Sequence, residues 1–391
     1  MLCLPRLTVA IVVASLVASA CAAQTVAPNS GSVAPASRTR AISPRPVDTT
    51  SILKQDTKEV TIGSTVDATN GDMGPTAISI VPGKVKKGLQ KGNLVVCNFE
   101  NSAGYQGQGT TLEILEPAAN SPTKQFAQND AFEGCDAVAL NTANDVYAGG
   151  LTSGEMAVFS PTGGVPIKTY GSSSPVGAPL SDTNAPPVKA FDPAYVYVGA
   201  TTSGGIASIS DGEYGDGQAT QVAEGFAVSQ GSGQPLGPSG LQYSKSLDVL
   251  YIVDGVTNTI VGFTNASKLL VQDEIVVEPG GQTFQCLYPS VTCGFLVFAD
   301  TSSYSPLNAP VASALLPNGN LIVANTQGTP NTLVELTPTG QILDTAVINS
   351  NDTTPGIYGL VAAGTKDANT VIYFTDMNTN EVYELEKPPK K

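Results

Sequence analysis

Residues 250–263 read LYIVDGVTNTIVGF: a run rich in β-branched residues ending in an acid, a polar turn, and a second such run. The alternation suits two half-buried strands joined by a tight turn. The pattern recurs five times in weaker form. First strands begin at Leu94 (LVVCN), Val146 (VYAGG), Val196 (VYVGA), Leu321 (LIVAN) and Ile372 (IYFTD). The second strands are TLEIL from Thr111, EMAVF from Glu155, GIASI from Gly205, TLVEL from Thr332 and EVYEL from Glu381. The equivalent positions Val95, Tyr147, Tyr197, Tyr251, Ile322 and Tyr373 are 52, 50, 54, 71 and 51 residues apart. This period exceeds a solenoid coil and matches a four-stranded blade, so the expected fold is an all-β, six-bladed β-propeller.

The long interval comes from an insertion at 280–308 that contains the strand-like FLVFADT. Just before it, VQDEIVVEP reads as the outer strand of unit four. Unit six ends at Lys387-Pro388-Pro389, which cannot extend a sheet. The orphan run EVTIGS at 59–64 precedes unit one. It is expected to complete the sixth blade and close the ring, which removes an exposed sheet edge; the alternative is a loose extension of the N-terminal segment.

The ends of the chain differ in character from its body. Arg6, an apolar run over 7–17 and Ala18-Ser19-Ala20 form a targeting signal over residues 1–20. Small residues before Cys21 resemble a bacterial lipobox, although Ala18 stands where Leu is usual, and Ala-x-Ala also suits ordinary signal-peptidase cleavage. The expected modification is lipidation of Cys21, with simple secretion as the alternative. Residues 21–55, rich in Ser, Thr, Pro and Ala, read as a disordered tether, and residues 56–391 as the propeller.

From Ser51 onward the chain has fifteen Lys against thirty-two acidic residues, with no Arg, His or Trp. Such a body repels nucleic acid. Without His, every mechanism needing an imidazole is excluded, while carboxylate and metal-water chemistry survive. Four cysteines follow Cys21, an even number in an exported chain, which favours two disulfides over free thiols or a metal cluster. Cys286 and Cys293 are close in sequence. Cys97 lies near the end of one unit's second strand and Cys135 near the start of the next unit's first, so antiparallel order brings them to the same end of the ring.

Residues 250–263 resemble the NHL repeat, in which a strand ends in Val-Ala-Asp, a turn carries Asn, and an Ile-x-x-Phe strand follows. Val253-Asp254, Asn258, Ile260 and Phe263 match that pattern, and Pro238-Ser239-Gly240-Leu241 resembles its start. Unit six keeps Asp376 and Asn380. Units one and five place Asn98 and Asn325 at the acid's position, and units two and three lose the acid.

Asp254, Asp376, Asn98 and Asn325 are expected each to bond the backbone of their own turn, so no metal site is expected. The alternative is that they converge as oxygen ligands for Ca²⁺, as in propeller lactonases. A true site would need ligands that break the repeat. Asp211-Gly-Glu213-Tyr-Gly-Asp216-Gly217 lacks EF-hand spacing and reads as a surface loop, and Lys84, Lys86, Lys87 and Lys91 as a solvated hairpin tip. The repeat tyrosines are expected to pack between blades. The expectation is a monomeric, noncatalytic module of the bacterial cell envelope, exported and lipid-anchored, that binds protein or glycan partners without a cofactor. The alternative is a Ca²⁺-dependent, lactonase-like hydrolase.

Overall fold

The computed structural model describes residues 47–190, 192–211, 217–229, 235–299, 305–328, 330–349 and 351–389. Cys21, the targeting segment, most of the tether and the acidic loop at 212–216 lie outside the described residues. Strand β1 (Lys58–Ser64) comes first. Blade one follows with β2 (Met73–Ile80), β3 (Leu94–Glu100), β4 (Thr111–Leu115) and β5 (Lys124–Gln128). Blade two is β6 (Cys135–Leu140), β7 (Val146–Gly150), β8 (Met156–Phe159) and β9 (Lys168–Tyr170). Blade three contains β10 (Pro179–Ala185), β11 (Ala194–Ala200), β12 (Gly205–Asp211) and β13 (Ala219–Glu224). Blade four starts with β14 (Pro238–Ser244), β15 (Val249–Asp254) and β16 (Thr259–Thr264). The chain then makes β17 (Ile275–Val277), β18 (Phe284–Cys286) and β19 (Gly294–Ala299). Blade five is β20 (Pro310–Leu315), β21 (Leu321–Asn325), β22 (Thr332–Leu336) and β23 (Ile342–Val347), and β24 (Leu360–Ala363), β25 (Val371–Asp376) and β26 (Glu381–Glu386) begin blade six.

The protein is thus a six-bladed β-propeller, and its ring closes through the N-terminal strand. β1 pairs antiparallel with β26 from Lys58↔Glu386 to Ser64↔Glu381, giving the order β1-β26-β25-β24. Ile62 is fully buried beneath this strand. The packed body begins earlier than composition suggests. Ile52 and Leu53 are buried against blades five and six. One Glu335 carboxylate oxygen holds them, accepting hydrogen bonds from the Ile52 and Leu53 N–H groups at 2.8 and 2.9 Å and from the Ser51 hydroxyl at 2.8 Å. The sequence boundary at 55/56 lies inside this packed segment.

One strand goes to a different blade from the one the sequence suggests. VQDEIVVEP does not supply the outer strand of blade four. Its strand β17 runs parallel to β13 on the outer edge of blade three, and β18 adds to β17 to make a six-stranded sheet. The outer strand of blade four is β19, from the insertion, paired with β16. The physical reason lies in burial: Ile275 and Val277 join the core between blades three and four, at 0% and 2% exposure.

Both disulfides form, Cys97–Cys135 with Cα atoms 5.2 Å apart and Cys286–Cys293 at 5.4 Å. Each joins neighbouring blades, since Cys97 is in β3 and Cys135 in β6, while Cys286 ends β18 on blade three and Cys293 precedes β19 of blade four. Loop-closure entropy assigns about 4 kcal/mol to the bond spanning 38 residues and about 2 kcal/mol to the one spanning 7. Cys97→Ala/Cys135→Ala is therefore expected to lower the denaturant midpoint more than Cys286→Ala/Cys293→Ala; equal shifts would show that the longer closure adds nothing. Tyr147, Tyr197, Tyr251 and Tyr373 are buried in the packing clusters of the ring, as the repeat suggested.

Candidate functional site

Each innermost strand of blades one to five carries a bulge, at Pro75/Ile78, Cys135/Ala137, Pro179/Ser181, Ser239/Gln242 and Pro310/Ala312. A bulge bends a strand and re-aims its side chains. Here the bent strands enclose a cavity of about 60 Å³ lined by all six blades. That volume holds a few ordered waters.

Two carboxylates line it. Asp136 stands where the equivalent positions are Thr76, Leu180, Ser239 and Val311; Asp182 stands where they are Ile78, Val138, Leu241 and Ser313. Both break the repeat. One oxygen of Asp136 and both of Asp182 are sealed from solvent without a hydrogen-bond partner. Burial holds both carboxyl groups well above the usual aspartate range. The Thr76 hydroxyl beside Asp136 offsets this in part, as do the Ala139 and Asp182 N–H groups near the Asp182 carboxyl, although neither N–H closes a full hydrogen bond to it. Tyr358, also on the cavity wall, is pushed up by burial and then by the charge of Asp136. No lysine lines the cavity to stabilise the ionised forms. The arrangement therefore favours the neutral form of both acids.

The sequence signal for these residues was a single acid in each of CDAVAL and PLSDTNA, strands outside the repeated pair. The four repeat positions behave differently. One Asp254 oxygen accepts from the Val256 and Thr257 N–H groups at 2.9 and 3.3 Å, and the other from the Thr257 hydroxyl at 2.8 Å. Asp376 accepts from the Asn378 N–H at 2.8 Å and from the Asn349 amide. Asn98 donates to Thr65 O at 2.8 Å and the Thr111 hydroxyl at 3.1 Å. Asn325 accepts from the Asn308 N–H at 2.9 Å while donating to Pro306 O and the Thr332 hydroxyl.

These bonds tie turns and connections. Among the described residues no three His, Cys, Asp or Glu side chains cluster as a metal site. The turn asparagines of the motif have a further structural task. Asn258 and Asn380, in the left-handed conformation with φ of 53° and 59°, accept from the Ala309 and Gly74 N–H groups at 2.7 and 2.8 Å. Each thereby fastens its blade to the start of the next.

Open space lies at one end of the ring, where second-to-third-strand loops meet the connections between blades. A cleft of about 400 Å³ is lined by Ser173, Ser174, Thr202, Ser203, Gln221 and Gln272, among others. A second, of about 310 Å³, lies between Phe99, Gln106, Leu151, Thr152, Thr201 and Pro235. Among the described residues neither is lined by a charged side chain. Such hydroxyl and amide groups can exchange hydrogen bonds with another polar surface.

No family model matches the chain, and no curated protein matches it in sequence. Among solved structures it is similar to virginiamycin B lyase from Staphylococcus aureus, at 14% identity over 84% of each chain with a TM-score of 0.48. It is also similar to a chain of a nidogen/laminin complex, at 14% identity over 72% of this chain and 88% of that one, TM-score 0.46. The WD40 β-propeller domain of Doa1 shows 11% identity over 84% of this chain and 96% of that one, TM-score 0.47. These similarities concern the fold alone.

Proposed function

We propose that this propeller is an exported, NHL-like lipoprotein of the cell envelope, anchored through Cys21, that works without catalysis as a binding scaffold for protein or glycan partners. The observation that carries the reading is the contrast in size between its cavities. The axial space of about 60 Å³ keeps any substrate larger than a few waters from Asp136 and Asp182, whereas the loop clefts of about 400 and 310 Å³ fall within the range of ligand sites. The two inter-blade disulfides fit an oxidising compartment.

Thr152 and Thr202 are exposed cleft residues. Replacing each with Lys fills its cleft, and the double variant is expected to lose at least tenfold in retention on purified peptidoglycan or on solubilised envelope proteins, whichever the wild type binds. If instead the wild type hydrolyses a lactone and Asp136→Asn or Asp182→Asn abolishes this, the scaffold reading fails.

A further inference from the structure

In each blade the first-to-second and third-to-fourth-strand loops lie at one end of the ring, and the remaining loops at the other. Of the thirteen described lysines, Lys54 lies in the segment that precedes β1, and the other twelve, from Lys58 to Lys387, sit on the first set of loops or at the strand ends on that side. None is at the cleft end. The acids of the cleft end, Asp130, Glu133, Glu155, Glu278 and Asp352 among them, have no lysine beside them there. The loop between β2 and β3 is the extreme case. Lys84, Lys86, Lys87 and Lys91 are all exposed, no acid lies between residues 81 and 93, and none of the four forms an ion pair among the described residues. Leu89, buried at 1% exposure and donating its N–H to Pro161 O at 2.9 Å, holds that loop against blade two.

The N-terminal segment reaches the ring at the same end. Asn318 and Asn320, in the first-to-second-strand loop of blade five, donate to Thr50 O. A tether leading to Cys21 therefore leaves from the lysine-bearing end.

We propose that the ring docks by its lysine end on an anionic lipid surface and points its clefts away from it. Only the placement of that surface beside the tether rests on the anchoring proposed above. Elsewhere at this end acids offset the lysines, as Asp192 does Lys189 and Asp248 does Lys245, so the β2–β3 loop supplies the attraction. The other end supplies the orientation. With the lysine end down, strands of five to seven residues, about 17–23 Å, separate the cleft-end carboxylates from the membrane. This exceeds the ~8 Å screening length at physiological salt. In the inverted pose those carboxylates would face anionic headgroups with no lysine between.

The test uses the chain from residue 21 with Cys21→Ser, which has no lipid. It is expected to sediment with phosphatidylglycerol-containing vesicles and not with pure phosphatidylcholine. Salt should weaken the association, and each of Lys84→Gln, Lys86→Gln, Lys87→Gln and Lys91→Gln should lower it about fivefold. A fluorophore at Gln90→Cys should respond to the vesicles while one at Thr152→Cys does not. Equal binding to both vesicle types, no binding, a response only at Thr152, or retention of an acidic soluble protein in place of vesicles would each overturn the inference. Membrane fractionation of the full chain with and without Cys21→Ala tests the anchor separately, so the two readings fail independently.

Discussion

Removal of residues 1–64 is expected to leave a protein that aggregates at ambient temperature, whereas removal of residues 1–50 leaves the melting temperature almost unchanged. The shorter deletion spares Ser51, Ile52 and Leu53 and their bonds to Glu335. The longer one removes them together with β1. Ile52, Leu53 and Ile62 are each at most 1% exposed, and burying such side chains contributes about 1.5–3 kcal/mol apiece. Their joint loss approaches the 5–15 kcal/mol that holds a typical domain together.

The deletion also strips the hydrogen-bonding partner from β26 and uncovers Val382 and Leu385, now at 0% and 2% exposure. An unpaired strand edge of this kind recruits other chains. Glu335→Ala provides an intermediate case, because it frees residues 51–53 while leaving β1 paired. Its melting temperature should fall between those of the two truncations. Thermal melts with light scattering decide the matter: if the 1–64 deletion melts like the 1–50 deletion and remains monomeric, β1 does not hold the ring shut.

The legible parts of this fold were those that a repeat writes several times. The second and third strands of every blade recur in sequence, and residues 250–263 carry both. Closure was legible by subtraction, since unit six lacked an outer strand and 59–64 lacked a partner. The exchange between blades three and four was not. VQDEIVVEP has the composition of an edge strand, but nothing in it says which edge; its place is set by contacts of Ile275 and Val277 with residues far away in the chain. Residues that follow the repeat and residues that break it differ in the same way. Asp254 and Asp376 drew notice because they follow the repeat, and the structure uses them where a repeat would, in turns. Asp136 and Asp182 lie on innermost strands that vary from blade to blade, and only the bulges show that they face one cavity.

Those two aspartates and three other buried carboxyl groups should invert the usual acid response of the protein. Burial raises Asp56 and Asp376 to about 6 and Glu113 to about 9, and raises Asp136 and Asp182 as well. A carboxyl group with a raised folded-state value binds more protons folded than unfolded between the ordinary value near 4 and the raised one. Stability then falls as pH rises through that window and levels off above it. The melting temperature should accordingly be higher at pH 5 than at pH 8. Most of the change between pH 6 and 8 should come from Glu113, Asp136 and Asp182, because Asp56 and Asp376 are already about half deprotonated at pH 6. Asp136→Asn and Asp182→Asn retain the shape but cannot ionise. Each should raise stability more at pH 8, where the wild-type carboxyl must take up a proton on folding, than at pH 5. Melts of the wild type and both variants across this range test the assignment: equal shifts at pH 5 and pH 8, or a wild type that loses stability between pH 8 and pH 5, would show that the channel carboxylates are ionised in the folded protein.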